Sequence, residues 1–360
     1  MSKRIKTATI TFQDANNYGA ILQTYALQRA IKKAGCENEV INYQCTYMKS
    51  PYGLRALKNK GLTRYILGNI YAIARIPRIK EFSKLRKKIL MTSKIYSGEL
   101  STIENKYDFF ICGSDQIWNG SITNLDPAYF LNFVKNPEKK KSYAASFGFE
   151  QVPNDMIEKY RSLLANFSSI NMREESGVKI INSLLGKSSE TVLDPTMLLN
   201  LEEWNSIAEE KKQNNKYILI YQVGMSSFLL KKAKEIASLT GLKIRTVPFP
   251  IGGIIKTGIN LFTGPQRWIG LIKNAELVIT DSFHGSAFSI MYNKRFFVCL
   301  SEGSTRINNL LNMFDLNNAL LLPGERLSID YEIDWSKVNS ILSIERQRSK
   351  DILSNMLHVK

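Results

Sequence analysis

Short apolar runs, each followed by a longer stretch with apolar positions three or four residues apart, recur along most of the chain. Strands and helices in alternation produce this pattern. Strand-like runs fall at Thr7–Phe12, Val40–Tyr43, Asp108–Cys112, Tyr143–Phe147, Ser168–Met172 and Thr191–Leu193. They resume at Tyr217–Val223, Lys243–Pro248, Leu277–Thr280, Phe296–Leu300 and Leu320–Leu322. Between them, Ala20, Thr24, Leu27 and Ile31 share one helical face, and Ser226 to Thr240 has a Ser at its start and Gly241 just past its end. Asn200 to Lys212 reads as a helix joining the halves, and Trp335 to Leu357 as one long helix with Val338, Ile341, Leu342, Ile344, Ile352 and Leu353 apolar among charges. Strand–helix alternation predicts parallel sheets with crossover helices.

At 360 residues the chain is long for one domain. The expected organisation is an α/β domain over 1–200, a second over 201–335, and a helix over 336–360 that returns to the first, with the division near 198–216. A helical insertion interrupts the first domain at about 48–106. Leu62, Ile66, Ile70 and Ile73 form an apolar stripe there, and Arg64, Arg75 and Arg78 lie off it. Either the insertion packs on the domain with a solvated basic face, or that face meets an anionic membrane or an acidic substrate.

Charge sharpens this picture. The formal net charge is +17. Residues 55–94 hold twelve Lys and Arg against Glu81 alone, a local +11, and such a field attracts polyanions and phosphorylated molecules. Cysteine and histidine narrow the chemistry. Cys36, Cys45, Cys112 and Cys299 form no C-x-x-C pair, and only His284 and His358 could join them on a metal, so reduced thiols and no structural zinc are expected. The start of the chain lacks the apolar core of a signal peptide, and no run of about 18 apolar residues exists to span a bilayer. A cytoplasmic location is expected.

Three polar blocks and two arginines sit where strands end. Asn16-Asn17-Tyr18-Gly19 follows the first strand, where Asn17 and Gly19 suit a tight turn into a helix whose backbone N–H groups attract anions. Gly113-Ser114-Asp115-Gln116 follows Phe110-Ile111-Cys112; Gly113 would admit a ligand to the backbone, while Asp115 suits proton transfer or a sugar hydroxyl, or else caps the next helix. Thr280-Asp281-Ser282-Phe283-His284-Gly285 puts a histidine at a helix start, where the positive helix end favours the neutral imidazole. Arg173 and Arg306 follow two further strands, where Arg suits a phosphate or carboxylate, with an ion pair to Glu174 or Glu175 as the plain reading of Arg173. There is no P-loop, no G-x-G-x-x-G after a strand and no D-x-D pair, which counts against nucleotide hydrolysis, nicotinamide chemistry and a metal-dependent sugar-nucleotide site.

Taken in order, NNYGAILQTYALQ at 16–28, FFICGSDQIWN at 109–119, SYAASFG at 142–148, MREESG at 172–177, VLDPTMLL at 192–199 and ITDSFHGSAF at 279–288 resemble the polysaccharide pyruvyl transferase family. The resemblance implies two Rossmann-like domains with parallel sheets facing a central cleft, the GT-B arrangement. It implies phosphoenolpyruvate as co-substrate, a sugar or lipid-linked glycan as acceptor, and a pyruvate ketal on a cell-surface polysaccharide as product. It gives His284 and Asp115 catalytic roles. Arg173, Arg306, Ser282 and Gly285 are then donor-binding, and Asn17, Gly19, Ser114 and Gln116 lie on the acceptor side or in the cleft. No metal or redox cofactor is needed by this chemistry, and no nucleic acid is expected as partner. The implied place of work is the cytoplasm, peripheral to the inner face of the membrane. Some members carry an Arg two residues before the histidine; here that position is Ser282, so other cations must hold the donor. Two rival readings are a GT-B glycosyltransferase using a nucleotide sugar and a non-catalytic docking protein of glycan assembly.

Overall fold

The computed structural model describes residues 4–47, 76–89, 91–210, 216–224, 226–247, 263–300, 304–325 and 331–358. The stripe from Leu62 to Ile73 lies outside them. The chain divides into two compact units. One holds residues 1–53, 86–199 and 343–360, the other 54–85 and 200–342.

Among the described residues the first unit carries a six-stranded parallel sheet. Its strands are β1 (Lys6–Ile10), β2 (Glu37–Val40), β3 (Phe109–Cys112), β4 (Lys140–Ala145), β5 (Ser169–Met172) and β6 (Glu190–Thr191), in the order β2-β1-β3-β4-β5-β6. The second unit carries β7 (Tyr217–Tyr221), β8 (Lys243–Val247), β9 (Leu277–Thr280), β10 (Arg295–Cys299) and β11 (Leu320–Leu321), in the order β11-β10-β9-β7-β8, again all parallel. Every strand is one that the sequence predicts, with ends moved by up to three residues. Central strands such as β7, YILIY, are buried along their whole length, as a sheet covered on both faces requires.

The order reverses once in each sheet. In the first, β1 has β2 on one side and β3 on the other; in the second, β7 lies between β8 and β9. At such a switch point the connections leave to opposite faces, and a crevice opens beyond the carboxyl ends of the two central strands. Beyond those strand ends lie Thr11 with Gly113–Asp115, and Gln222–Gly224 with Asp281–His284.

Two aromatic clusters hold these edges in place. Trp118, fully buried, stacks on Phe130 with ring centroids 6.0 Å apart, meets Phe147 and Phe167, and donates from Nε1 to the Tyr129 carbonyl at 3.0 Å. In the second unit Phe288 sits between Trp204 and Trp268, 5.0 Å from each, and fixes the helix Phe283–Met291.

Two helical expectations meet different outcomes. Among the described residues 200–210 of the expected helix, Leu201–Asn205 is helical, with a capping box between Asn200 and Glu203. Beyond it, the Glu209 N–H donates to the Gln266 carbonyl at 2.9 Å, so pairing with the helix Pro265–Lys273 replaces further helix. The terminal helix runs over Trp335–His358, and its buried positions, Val338, Leu342, Ser349, Leu353, Met356 and Leu357, make a single stripe. Residues 343–360 count with the first unit, where the Ser349 hydroxyl accepts from the Leu193 N–H at 3.0 Å and Arg346 donates to the Met197 carbonyl at 2.6 Å.

Of the basic window, residues 76–88 are helical. Some of its cations turn inward. Arg86 donates to the carbonyls of Gln13 and Asp14 and to Asn16 Oδ1, and Arg78 is buried with its guanidinium 5.4 Å from the Phe82 ring.

Candidate functional site

The carboxyl edge of the first sheet gathers Ser114, Asp115 and Arg173 from strands 60 residues apart. β3 ends at Cys112, and the chain then passes Gly113 with Thr11 Cβ so close that a Cβ on the glycine would lie 3.0 Å from it. The close approach is therefore made by Thr11, Thr9 and Leu27, and packing, rather than ligand access, demands the glycine. Thr11 Oγ1 donates to the Ser114 carbonyl at 2.9 Å and accepts from Gln23 Nε2 at 2.8 Å.

Asp115 follows at φ +85°, a left-handed conformation that costs a non-glycine residue of the order of 1–3 kcal/mol. Its neighbours hold it there. The Asp115 carbonyl accepts from the Ser146 N–H at 3.1 Å, in an isolated parallel bridge to β4, and Oδ1 accepts from the Gln116 N–H at 2.8 Å. β4 shifts register between Ser142 and Ala145, with Ala144 also at positive φ, which brings its end up to Asp115. Asp115 caps no helix; the next one, Gly120–Thr123, is capped by Asn119. Gln116 points to Asn119, whose amide donates to it at 3.0 Å.

Arg173, at the end of β5, is buried with a side chain 1% exposed. Three carboxylates surround it: Asp194 at 3.1 Å, Glu174 at 3.6 Å and Asp115 at 3.9 Å. Burial opposes its charge, but the three anions outweigh that and hold the guanidinium above its ordinary pKa. Glu175 turns elsewhere and accepts from Thr191 Oγ1. Asn17 caps the helix Tyr18–Lys33, accepting from the Ala20 N–H at 3.2 Å, and Gly19 lies within the first helical turn at no unusual angle. The capping side chain alone makes that entry, so a tight glycine turn is not needed.

At the switch point of the second sheet, Ser282 caps the helix Phe283–Met291 by accepting from the Gly285 N–H at 3.4 Å. His284 stands in the first turn, 6% exposed, with the Phe283 ring edge-on at 5.3 Å. A Cβ on Gly285 would come within 2.4 Å of Thr280 Oγ1 and 3.0 Å of Tyr221, so the helix start is seated directly on the ends of β9 and β7. Asp281 spans the crevice, accepting from the N–H groups of Val223 at 2.6 Å and Gly224 at 2.9 Å. Burial raises its pKa above the usual carboxylate value, against the pull of those N–H groups. Arg306, half-buried, is the second residue of the helix Thr305–Met313.

A family model described as polysaccharide pyruvyl transferase matches residues 17–303 and so takes in Gly113–Asp115, Arg173 and Asp281–His284. The chain belongs to the polysaccharide pyruvyl transferase family. No curated protein matches it. Among solved structures, a "putative UDP-N-acetylglucosamine 2-epimerase" from Listeria monocytogenes is similar in fold at 9% identity, over 99% of this chain and 91% of that one, with a TM-score of 0.50. The UDP-GlcNAc 2-epimerase of Methanocaldococcus jannaschii is similar at 14% identity over 97% and 94%, TM-score 0.49. A spinosyn forosaminyltransferase is similar at 9% over 99% and 95%, TM-score 0.45.

In this pyruvyl transferase family member the sequence reading passes over Asp194 and Ser146 near Asp115, while Glu174, one of the two ion-pair partners expected for Arg173, takes that place at 3.6 Å. Asp194 accepts from Ser114 Oγ at 2.9 Å, Arg173 Nη1 at 3.1 Å, and the N–H and hydroxyl of Thr196 at 3.0 and 2.7 Å. Glu174 accepts from Ser146 Oγ at 2.6 Å, and Ser146 in turn accepts from the Gly148 N–H. All three lie in the quoted motifs. Asp194-Pro195 reads locally as a helix cap followed by Pro at the first helical position, which hides its second duty toward Arg173. The described residues include no helix long and apolar enough to cross a membrane.

Proposed function

We propose that the protein transfers a pyruvyl group from phosphoenolpyruvate to two hydroxyls of a sugar in a cell-surface polysaccharide or its precursor. The observation that carries this reading is the family match over residues 17–303, which includes both Asp115 and His284.

The chemistry sets the tasks. A proton adds to the methylene carbon of the enol phosphate, and positive charge develops at the neighbouring carbon. A sugar hydroxyl bonds there, the C–O bond to phosphate breaks, and a second hydroxyl closes the ketal. One hydroxyl proton replaces the proton delivered to the methyl group and the other leaves with phosphate, so no oxidant or reductant enters. His284, at the positive end of its helix, suits the proton delivered to the methylene carbon. Asp115 suits the proton taken from the attacking hydroxyl. Arg306, Ser282 and the N–H of Gly285 suit the donor's anionic groups. Ser114, Gln116, Asn17 and Gly19 line the acceptor side.

The test is phosphate release from phosphoenolpyruvate across a panel of methyl glycosides, with mass spectrometry of the sugar product. A glycoside gaining the mass of a ketal supports the reading. Consumption of a nucleotide sugar, with phosphoenolpyruvate untouched, would replace it by glycosyl transfer. We also propose that the basic face of residues 55–94 holds the protein to an anionic membrane surface, where a lipid-linked acceptor would be met.

A further inference from the structure

The three ion pairs of Arg173 are unequal, and the inequality has a direction. Asp194 and Glu174 have side chains 0% and 1% exposed, and both are anchored by other donors as well. Asp115 is the outer partner, 14% exposed. The guanidinium thus rests on two closed carboxylates and presents its remaining edge to an open one. The main chain repeats the link: the Arg173 N–H donates to the Ala145 carbonyl at 3.1 Å, and Ala145 is the residue bridged to Asp115.

Charge separates two possible duties for this cation. One guanidinium stands against three carboxylates, a surplus of two negative charges when all are ionised. A donor carrying phosphate and carboxylate would enter like charge, whereas a neutral sugar hydroxyl meets no such barrier. We propose that Arg173 is a positioning residue for Asp115, backed by Asp194 and Glu174, and that this sheet edge receives the acceptor hydroxyls rather than the phosphorylated donor. The inference rests on the pyruvyl-transfer reading and deepens it. Arg173 keeps the Asp115 carboxylate aimed, and of these four charged groups only Asp115 touches substrate.

The experiment uses the full chain and two readouts. Phosphoenolpyruvate binding is measured by calorimetry without acceptor, and turnover by phosphate release with the methyl glycoside that works best for the wild type. Arg173→Lys should leave the donor Kd within about twofold and lower turnover at saturating donor tenfold or more. In an Asp115→Asn background the same change should cost less than about twofold, because coupled residues are non-additive. Glu174→Gln serves if Arg173→Lys does not fold. It should lower turnover without tightening donor binding, whereas a donor-binding Arg173, freed of one competing anion, would bind phosphoenolpyruvate more tightly. A tenfold weaker donor Kd in Arg173→Lys with turnover retained would overturn the proposal, as would equal losses in both backgrounds. A wild type that neither binds nor consumes phosphoenolpyruvate would instead end the pyruvyl-transfer reading, and this role with it.

Discussion

Asp194→Asn is the sharpest test of the buried charge cluster as a source of stability. The change keeps size and shape but replaces one carboxylate oxygen by an NH2 group. If that group faces Arg173 and Ser114, donors meet donors where Nη1 now lies 3.1 Å and Oγ 2.9 Å from the carboxylate. If the amide flips, it meets the Thr196 N–H, now bonded at 3.0 Å. Breaking a buried pair from one side costs about 3–5 kcal/mol. The remaining anions near Arg173, Glu174 and Asp115, soften the loss and place it at the low end, about 3 kcal/mol. For a unit of this size each kcal/mol moves the melting midpoint by about 2–4 °C, so a fall of roughly 6–12 °C is expected. Calorimetry gives the midpoint, and hydrogen exchange at Phe109–Cys112 assigns the loss to the first unit. Ser114→Ala, which removes one neutral donor, should cost only about 1 kcal/mol. A fall below about 2 °C in Asp194→Asn would refute the argument, since the cluster would then be solvated rather than closed.

His284→Ala should lower turnover by about 10²–10⁴ with little change in melting midpoint, measured by phosphate release; full activity would remove it from the mechanism. Arg306→Ala should raise the KM for phosphoenolpyruvate about ten- to a hundred-fold and leave the acceptor KM nearly unchanged, and the opposite split would move Arg306 to the acceptor side. Because folding raises the pKa of Asp281, its contribution to stability is present below the usual carboxylate value and is lost as pH rises through the raised one. The melting midpoint of the wild type minus that of Asp281→Asn should therefore fall with rising pH across the acid range, and a flat difference would contradict the shift. Vesicle flotation should recover the protein on anionic but not neutral lipid, less so at high salt; equal recovery on both would return residues 55–94 to a solvated face.

The strands were legible because each is a short apolar run closed by polar residues, and alternation with helices gave their parallel sense. The residues at the switch points were legible for the same reason: Ser114, Asp115 and His284 follow such runs directly. What the sequence hid depends on long-range pairing. Glu209 abandons a helical pattern for the Gln266 carbonyl, and nothing near residue 209 announces it. Asp194 lies 79 residues from Asp115, and its link to Arg173 exists only once β3, β5 and β6 share one sheet. Arg173 reads as a cation for phosphate or as the partner of one neighbouring Glu, and only the fold adds Asp194 and Asp115 to Glu174 around it. The positive φ of Asp115 has no sequence signal either, since an Asp after Gly-Ser suits a cap equally well.

The first unit is not contiguous in the chain, and this bears on synthesis. Its sheet is complete at residue 199, yet residues 343–360, which bring Ser349 to Leu193 and bury Met356 and Leu357, follow residues 200–342 of the second unit. At about 5–20 residues per second, a ribosome needs roughly 10–30 s to make residues 200–360. Through that interval the nascent first unit carries an uncovered apolar strip. Vectorial production thus leaves the earlier half waiting on residues 343–360, and a chain truncated before residue 343 should be a client of chaperones rather than a stable fragment.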